Sequence, residues 1–323
     1  METPDLSIIV PCYNEQEVID ITIARLGKVM DSMEPTTKSE LIFVNDGSTD
    51  TTSEHLAQAC QADRRIRVIT FSRNFGHQSA VTAGLNRCRG QKAVILDADL
   101  QDPPELIPKM MEIIDSKGGK EGKAQVVYGM RTERQGETWF KRTTAKVFYR
   151  LLNKMSEVRL PLDTGDFRMM DRKVIDHFNK LTEHNKYIRG LTAWVGFRQV
   201  AMPYKREARA AGETKYPLSK MIRLSMASII SFSTKPLKMV VVMGILAEIV
   251  AFGLLLWSVL GKIFGFTHAD SGWTSIFVLV IFFGGLQLIT TGIVGLYVGS
   301  IFDEVKRRPE YIIDTEEGGD GYL

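Results

Sequence analysis

"KAVILDADLQDPPELIPKMMEII", residues Lys92–Ile114, runs from a short apolar stretch through a knot of acids into a helical pattern. Ala93–Leu96 reads as a buried strand. Asp97, Asp99 and Asp102 follow directly, then two prolines, then apolar residues at helical spacing. The same order occurs three times earlier. "LSIIVPCYNE" gives a strand at Leu6–Val10, ended by Pro11 and a polar turn, before a helix-like stretch at Glu15–Met30. "SELIFVNDGSTDTTSEHLAQAC" gives a strand at Leu41–Val44, a turn at Asn45–Ser48 and a helix. "IRVITFSRNFGHQSAVTAGLNRC" is the third such unit. Short apolar runs alternating with helical patterns predict an α/β fold with a mainly parallel sheet.

In such sheets ligands sit beyond the carboxyl ends of the strands. The clusters Pro11–Glu15, Asn45–Asp50, Ser72–His77 and Asp97–Asp102 are therefore expected to converge. No GxGxxG or GxxxxGK[ST] follows a strand, which argues against a dinucleotide-binding domain or a P-loop. Asp97 and Asp99 point the same way if the backbone stays extended. Two carboxylates so placed repel each other unless a cation lies between them. Oxygen ligands suit Mg²⁺ or Mn²⁺, with substrate phosphates completing the shell. A solvated turn is the other reading of the pair. Asp46 fits either a helix-capping turn residue or an acceptor for a nucleobase or ribose. His77 fits either a structural histidine or a phosphate contact.

The net charge of the 323 residues is +3, too small to imply nucleic acid. Cys12, Cys60 and Cys88 are far apart and form no CxxC pair, so small core residues in a reducing compartment are expected. The opening "METPDLSIIVPCYNE" has no basic stretch and no long apolar core, and is not expected to be a signal peptide.

Hydropathy changes near residue 236. Met239–Leu260 and Trp273–Phe302 are long apolar runs, each exceeding the roughly 20 residues a helix needs to cross a bilayer. The expected organisation is a large domain over 1–216, an amphipathic helix over 217–235, two spans within 236–302 (237–260 and 273–300) and a tail over 303–323. The 217–235 stretch fits a helix on the membrane surface or a core helix of the domain. Glu248 and Gln287 lie inside the spans, where a polar group should face a partner rather than lipid. Gly292, Gly295 and Gly299 favour close helix packing, within a hairpin or between subunits. Cations crowd the outer ends of both spans, while the connector at 261–272 holds only Lys262. The positive-inside rule then puts the large domain in the cytoplasm.

"SIIVPCYNE", "FVNDGSTDTT", "FSRNFGHQSAVTAGL", "ILDADLQDPPE" and "GDFRMMDR", followed by two apolar spans, resemble the polyprenyl-phosphate glycosyltransferases of glycosyltransferase family 2. Within that family the bactoprenol glucosyltransferase branch, related to dolichol-phosphate mannose synthase, is the most similar. The resemblance covers nearly the whole chain. It implies a GT-A fold, a divalent metal, a nucleotide-sugar donor with UDP-glucose favoured, and a polyprenyl phosphate acceptor in a bacterial plasma membrane. It implies Pro11, Tyr13, Glu15 and Asp46 around the nucleotide, with Asp97 beside the diphosphate. Asp97, Asp99 and Gln101 would surround the metal. Asp99, Asp166, Arg131, Arg168 and Lys215 form the expected catalytic set, with Arg131, Arg168 and Lys215 on the acceptor phosphate.

The loop after Gln125–Gly129, with Arg134, Lys141 and Arg142, matches the family's acceptor loop. The acid in "GDFR" departs from the "SGFR" of the mannose synthase branch. Asp166 would bind the sugar or hold Arg168, and Asp163 is less clear. A phosphate acceptor is already anionic, so the chemistry asks for positioned cations more than for a general base. Family 2 enzymes invert, so an α-linked donor would give a β-linked product. Family habit and the Gly-rich span imply a homo-oligomer, with a tetramer among the options. Two spans are too few to flip a glycolipid, which implies a separate flippase and a later transferase. A processive polysaccharide synthase would carry Gln-x-x-Arg-Trp and more spans, and Trp194 lacks the preceding Arg. A non-catalytic nucleotide-binding scaffold would need neither the Asp-x-Asp pair nor the basic segment.

Overall fold

The computed structural model describes residues 3–116, 122–132, 164–184, 186–206, 233–264 and 272–319. The chain forms two compact units. The first holds the described residues up to 206 and those from Arg308 onward, and the second holds 233 to Arg307.

The first unit is built on one sheet. Strands β1 (Leu6–Cys12), β2 (Ser39–Asn45), β3 (Ile66–Phe71) and β4 (Lys92–Ile95) alternate with helices α1 (Ile19–Met33), α2 (Thr52–Ala62) and α3 (His77–Arg87). β1 pairs in parallel with β2 and with β4, and β2 in parallel with β3. Parallel neighbours need a crossover, and each helix supplies one. The strands are apolar because both faces are covered: Leu6, Ile8, Ile9, Leu41, Ile42 and Phe43 are all fully buried. Helix α1 buries Ile19, Thr22, Leu26, Val29, Met30 and Met33, one stripe at helical spacing.

The strand order decides where a ligand can sit. It reads β7-β5-β6-β4-β1-β2-β3-β8, with β5 (Val126–Arg131), β6 (Thr164–Asp171), β7 (Gln199–Tyr204) and β8 (Ile313–Gly318). The chain steps outward from β1 to β3, then returns to place β4 on the other side of β1. The loops leaving β1 and β4 therefore diverge, which opens a crevice at their carboxyl ends. After β4 come α4 (Ile107–Asp115), then, beyond β6, α5 (Arg172–Phe178) and α6 (Ile188–Trp194). β6 runs antiparallel to both β4 and β5, and β5 runs parallel to β7. The sheet is thus mixed, with the expected parallel strands at its centre.

Two local readings change. β1 extends through Pro11 to Cys12, pairing with Val44 and Asn45 of β2. The β1–β4 ladder has already ended at Ile9, so the N–H that Pro11 lacks has no partner strand to serve. The tail expected over 303–323 supplies a strand to the sheet domain. β8 pairs antiparallel with β3 and closes that edge of the sheet.

The second unit contains α7 (Lys235–Phe264) and α8 (Gly272–Val305). Lys235–Leu254 and Leu279–Val305 have mean hydropathy 2.2 and 2.0 and are not buried by the chain itself. Both are long and apolar enough to cross a membrane. The Tyr297 hydroxyl of α8 donates to the Ser233 carbonyl at 2.7 Å, just ahead of α7. Glu248 is exposed on α7. Lys215, most of the 217–235 stretch, Arg134, Lys141, Arg142 and Asp163 lie outside the described residues.

Candidate active site

The antiparallel join of β4 and β6 brings two acids together. Ile95 lies opposite Arg168, so the register continued two residues places Asp97 opposite Asp166. His77, the first residue of α3, stands between them. Its Nε2 is 3.3 Å from Asp166 Oδ2 and 3.7 Å from Asp97 Oδ1. Arg189, on the first turn of α6, donates from Nε and Nη2 to the two Asp166 oxygens at 2.8 and 3.2 Å. The crevice thus gathers two carboxylates and two cations from β4, β6, α3 and α6.

These groups set one another's charge. Burial alone would lower the His77 pKa, but Asp166 and Asp97 more than offset it and push it up to about 9. Burial would raise Asp166, yet Arg189 and His77 hold it well below the usual carboxylate range. Asp97 is pushed up to about 6, first by burial and then by the negative charges of Asp166, Asp102 and Asp99, against the pull of His77.

The Asp97–Gln101 turn fits a divalent cation. Asp97 Oδ1 is shielded from solvent and accepts no hydrogen bond among the described residues. A buried carboxylate oxygen left so asks for a partner. Asp99 Oδ1 accepts the Gln101 backbone N–H at 3.2 Å. Leu100 between them has φ +55°, the left-handed region, and folds the turn back on itself. Among the described residues no three His, Cys, Asp or Glu side chains are grouped to hold a metal unaided. Two carboxylates and an amide, with phosphate oxygens from a substrate, are the shell Mg²⁺ prefers.

The loops that follow β1, β2 and β3 brace one another. Asn14, at φ +53°, accepts the Thr49 N–H at 2.8 Å, and its own N–H donates to Ser48 Oγ at 3.0 Å. The Glu15 N–H donates to Thr52 Oγ1 at 2.9 Å. Pro11 is buried and Tyr13 is exposed at the mouth. Asp46 is buried, and its two oxygens accept the Phe75 and Gly76 N–H groups at 2.6 and 2.9 Å. It therefore ties the 72–77 loop to β2. Gly47 has φ +66°, and a side chain there would overlap the Arg73 backbone.

The two described cations of the expected acceptor set, Arg131 and Arg168, both lie beside Gly165. Arg168 is 3% exposed, donates to the Gly165 carbonyl at 3.2 Å and is lowered to about 10 by burial. Asp166 pairs with Arg189 and His77, and no hydrogen bond between Asp166 and Arg168 accompanies those pairs. Arg131 ends β5 beside the fully buried Asp102. Its Nη2 lies 3.8 Å from Asp102 Oδ1, and its Nε donates to the Tyr204 hydroxyl at 3.3 Å. The Tyr204 hydroxyl in turn donates to Asp102. Arg206 Nε approaches the same Asp102 oxygen at 3.7 Å.

Comparison with known proteins identifies the family. The family model described as glycosyl transferase family 2 matches residues 7–178, from β1 to the end of α5. The chain belongs to glycosyltransferase family 2. It is 49% identical to the glycosyltransferase YkcC of Bacillus subtilis over 312 residues, 97% of this chain and 94% of that one. It is 36% identical to the prophage bactoprenol glucosyl transferase homolog of Escherichia coli, over 95% of this chain and 98% of that one. Among solved structures, glucosyl-3-phosphoglycerate synthase of Mycobacterium tuberculosis aligns over 70% of this chain and 78% of its own, at 20% identity and a TM-score of 0.49. That similarity is too distant to bear on the site.

The chain is a glycosyltransferase, and two residues of its candidate site carry no local signature. Arg189 lies in "YIRGLTAW", which reads as an ordinary helix start. His77 had only the position of a strand-end cluster in its favour. The available signal was Asp166 itself, since an acid inside a strand as apolar as "DFRMM" requires cations facing it.

Proposed function

We propose that this family 2 enzyme transfers a hexose, glucose from UDP-glucose, to the phosphate of a membrane polyprenyl phosphate, with inversion. The observation that carries the reading is the shielded Asp97 oxygen at the crevice between β1 and β4, facing Asp166 and its two cations. The bactoprenol glucosyl transferases of Shigella flexneri and its phages support the acceptor, at 34% identity over 97% of this chain.

In this reading Pro11, Tyr13 and Glu15 line the nucleotide, and Asp46 shapes its pocket by fixing the 72–77 loop. Asp97, Asp99 and Gln101 hold Mg²⁺ or Mn²⁺. When bound, that ion supplies neutralisation of the charge that grows on the leaving diphosphate. His77 lies beside the same position and adds a second cation. Asp166 stays ionised because Arg189 and His77 face it, and so sits ready to steady the sugar as it gains positive charge. Arg131, Arg168 and Lys215 remain the acceptor-phosphate set. Arg131 is the best placed of the described ones, with Asp102 and Tyr204 orienting its guanidinium. The two apolar helices anchor the enzyme in a bacterial plasma membrane with the sheet domain in the cytoplasm. The functional organisation is then a GT-A domain over 1–216, an interfacial helix over 217–235 and a membrane hairpin within 236–302. A homo-oligomer packed through the glycines of α8 completes the proposal. A separate flippase and a downstream transferase would use the product.

The test is sugar transfer by the detergent-purified chain. UDP-glucose, UDP-galactose, UDP-N-acetylhexosamines and GDP-mannose are each offered with polyprenyl phosphate, with Mg²⁺ or Mn²⁺ and with a chelator. One lipid-linked glucose that disappears with chelator supports the proposal. A different sugar corrects the donor, a polymer points to a processive synthase, and nucleotide binding without transfer points to a scaffold.

A further inference from the structure

The chain beyond α8 returns to the first unit and meets the site from behind. The Ile312 carbonyl accepts the Ser72 N–H at 3.1 Å. The Tyr311 ring stacks on Phe71, with centroids 5.0 Å apart and planes 10° from parallel. Its hydroxyl accepts from Asn86 Nδ2 at 2.9 Å. Phe71 meets Phe75 edge-on at 5.7 Å, and Phe75 and Gly76 are the residues that Asp46 grips. His77 comes next in the chain. On the other side, Glu310 Oε2 lies 3.2 Å from Lys186 Nζ, with side chains only 13% and 7% exposed. Lys186 leads directly into α6. There the Ile188 N–H donates to the Gln78 side chain at 2.9 Å, and Arg189 follows.

Three consecutive residues of the returning chain thus touch both segments that deliver the cations to Asp166. The ladder between β8 and β3 and the Arg67–Glu316 pair already hold the strand in place. A buried lysine–carboxylate pair is a poor source of extra stability, because desolvation consumes most of its attraction. It does fix geometry well.

We propose that Glu310 and Tyr311 are positioning residues for glycosyl transfer. Tyr311 sets the 72–77 loop and Glu310 sets the entry to α6, so that His77 and Arg189 converge on Asp166. The proposal rests on the crevice being the donor site. It makes residues from beyond both apolar helices part of the catalytic apparatus.

The experiment uses the full chain in detergent, as Glu310→Ala and Tyr311→Ala, with Glu317→Gln on the same strand as the control. Kinetics are taken well below each variant's melting midpoint. Modification of His77 by diethyl pyrocarbonate, read by mass spectrometry, reports the loop directly. The expected result is a fall of about 10²-fold in kcat for both variants, as displacement of a catalytic group by about 1 Å produces. KM for the donor should move less, His77 should be modified faster, and the control should behave as wild type. Unchanged kcat and unchanged His77 modification, with only the melting midpoint lowered, would overturn it. If either alanine variant fails to fold, Glu310→Gln and Tyr311→Leu are judged by the same two outcomes. A wild-type chain that transfers no sugar from any donor would defeat the donor reading, while His77 modification would still decide the role of the tail.

Discussion

A carboxylate buried in a strand stays ionised only when cations face it, and Asp166 has two. Its oxygens are claimed by Arg189 at 2.8 and 3.2 Å and approached by His77 at 3.3 Å. If the three act as one unit, their losses will not add. Asp166→Asn should lower kcat by about 10²-fold or more while UDP affinity, read by calorimetry, stays near wild type. Arg189→Gln should cost less, and the double variant should be no worse than Asp166→Asn alone. A double variant whose loss is the product of the two would show independent roles. Asp97→Asn should behave differently. That change leaves a neutral amide where the shielded carboxylate oxygen stood, so stimulation of transfer by Mn²⁺ should vanish rather than weaken. A variant still stimulated tenfold by Mn²⁺ would clear Asp97 of the metal. At this scale the acids were legible because each interrupts an apolar run. Arg189 was not, because only the placing of α6 beside β6 says which arginine meets Asp166.

Elements were legible where the period was strong. Each of the first four strands is a short apolar run followed by a polar cluster, and the structure places those clusters at one end of the sheet. The order of β4 beside β1 was expected only as convergence, since periodicity carries no neighbour information. The antiparallel β6 and the edge strand β8 were harder. "IDTEEG" is polar because an edge strand needs pairing on one side only, so no apolar run announced it. What ties these strands at the end away from the site is Glu40. It accepts from Ser7 Oγ at 2.6 Å, the Arg89 N–H at 2.7 Å and Arg67 Nη1 at 3.0 Å, and Arg67 Nη2 reaches Glu316 of β8 at 2.7 Å. Burial would raise its pKa, but Ser7, the Arg89 N–H and the two arginine charges hold it below its ordinary value of 4.5. Its contribution is therefore complete above pH 4.5 and is lost as pH falls through the lower folded value. Glu40→Gln should cost about 3 kcal/mol at neutral pH, because Arg67 and Arg89 lose their buried partner. Its denaturation midpoint should then fall less steeply with acid than wild type does, with kcat unaltered. Parallel acid limbs for the two proteins would remove Glu40 from the account.

The whole molecule is constrained by one topological fact. β8 belongs to the same sheet as β1–β7, yet α7 and α8 lie between them in the chain. Whatever the two helices cross, the chain must come back to the side on which it began. An even number of crossings is demanded by the sheet itself, independently of flanking charge. Two apolar helices with mean hydropathy 2.2 and 2.0 meet that demand as a hairpin. The distribution of Lys and Arg then chooses the side, and the expected outcome is a sheet domain in the cytoplasm. The prediction can be read with a membrane-impermeant thiol reagent on intact cells, in a chain with Cys60 changed to Ser, since Cys12 and Cys88 are buried. Thr267→Cys, between the helices, should be labelled from outside. Thr315→Cys, exposed on β8, should be labelled only after the cells are opened. Labelling of Thr315→Cys alone from outside would invert the orientation. Labelling of neither, with the chain released by alkaline carbonate, would mean that the helices lie on the membrane instead of crossing it. Labelling of both positions from outside would put the connector and β8 on one side and contradict the two crossings that the pairing of β8 with β3 requires of a membrane hairpin.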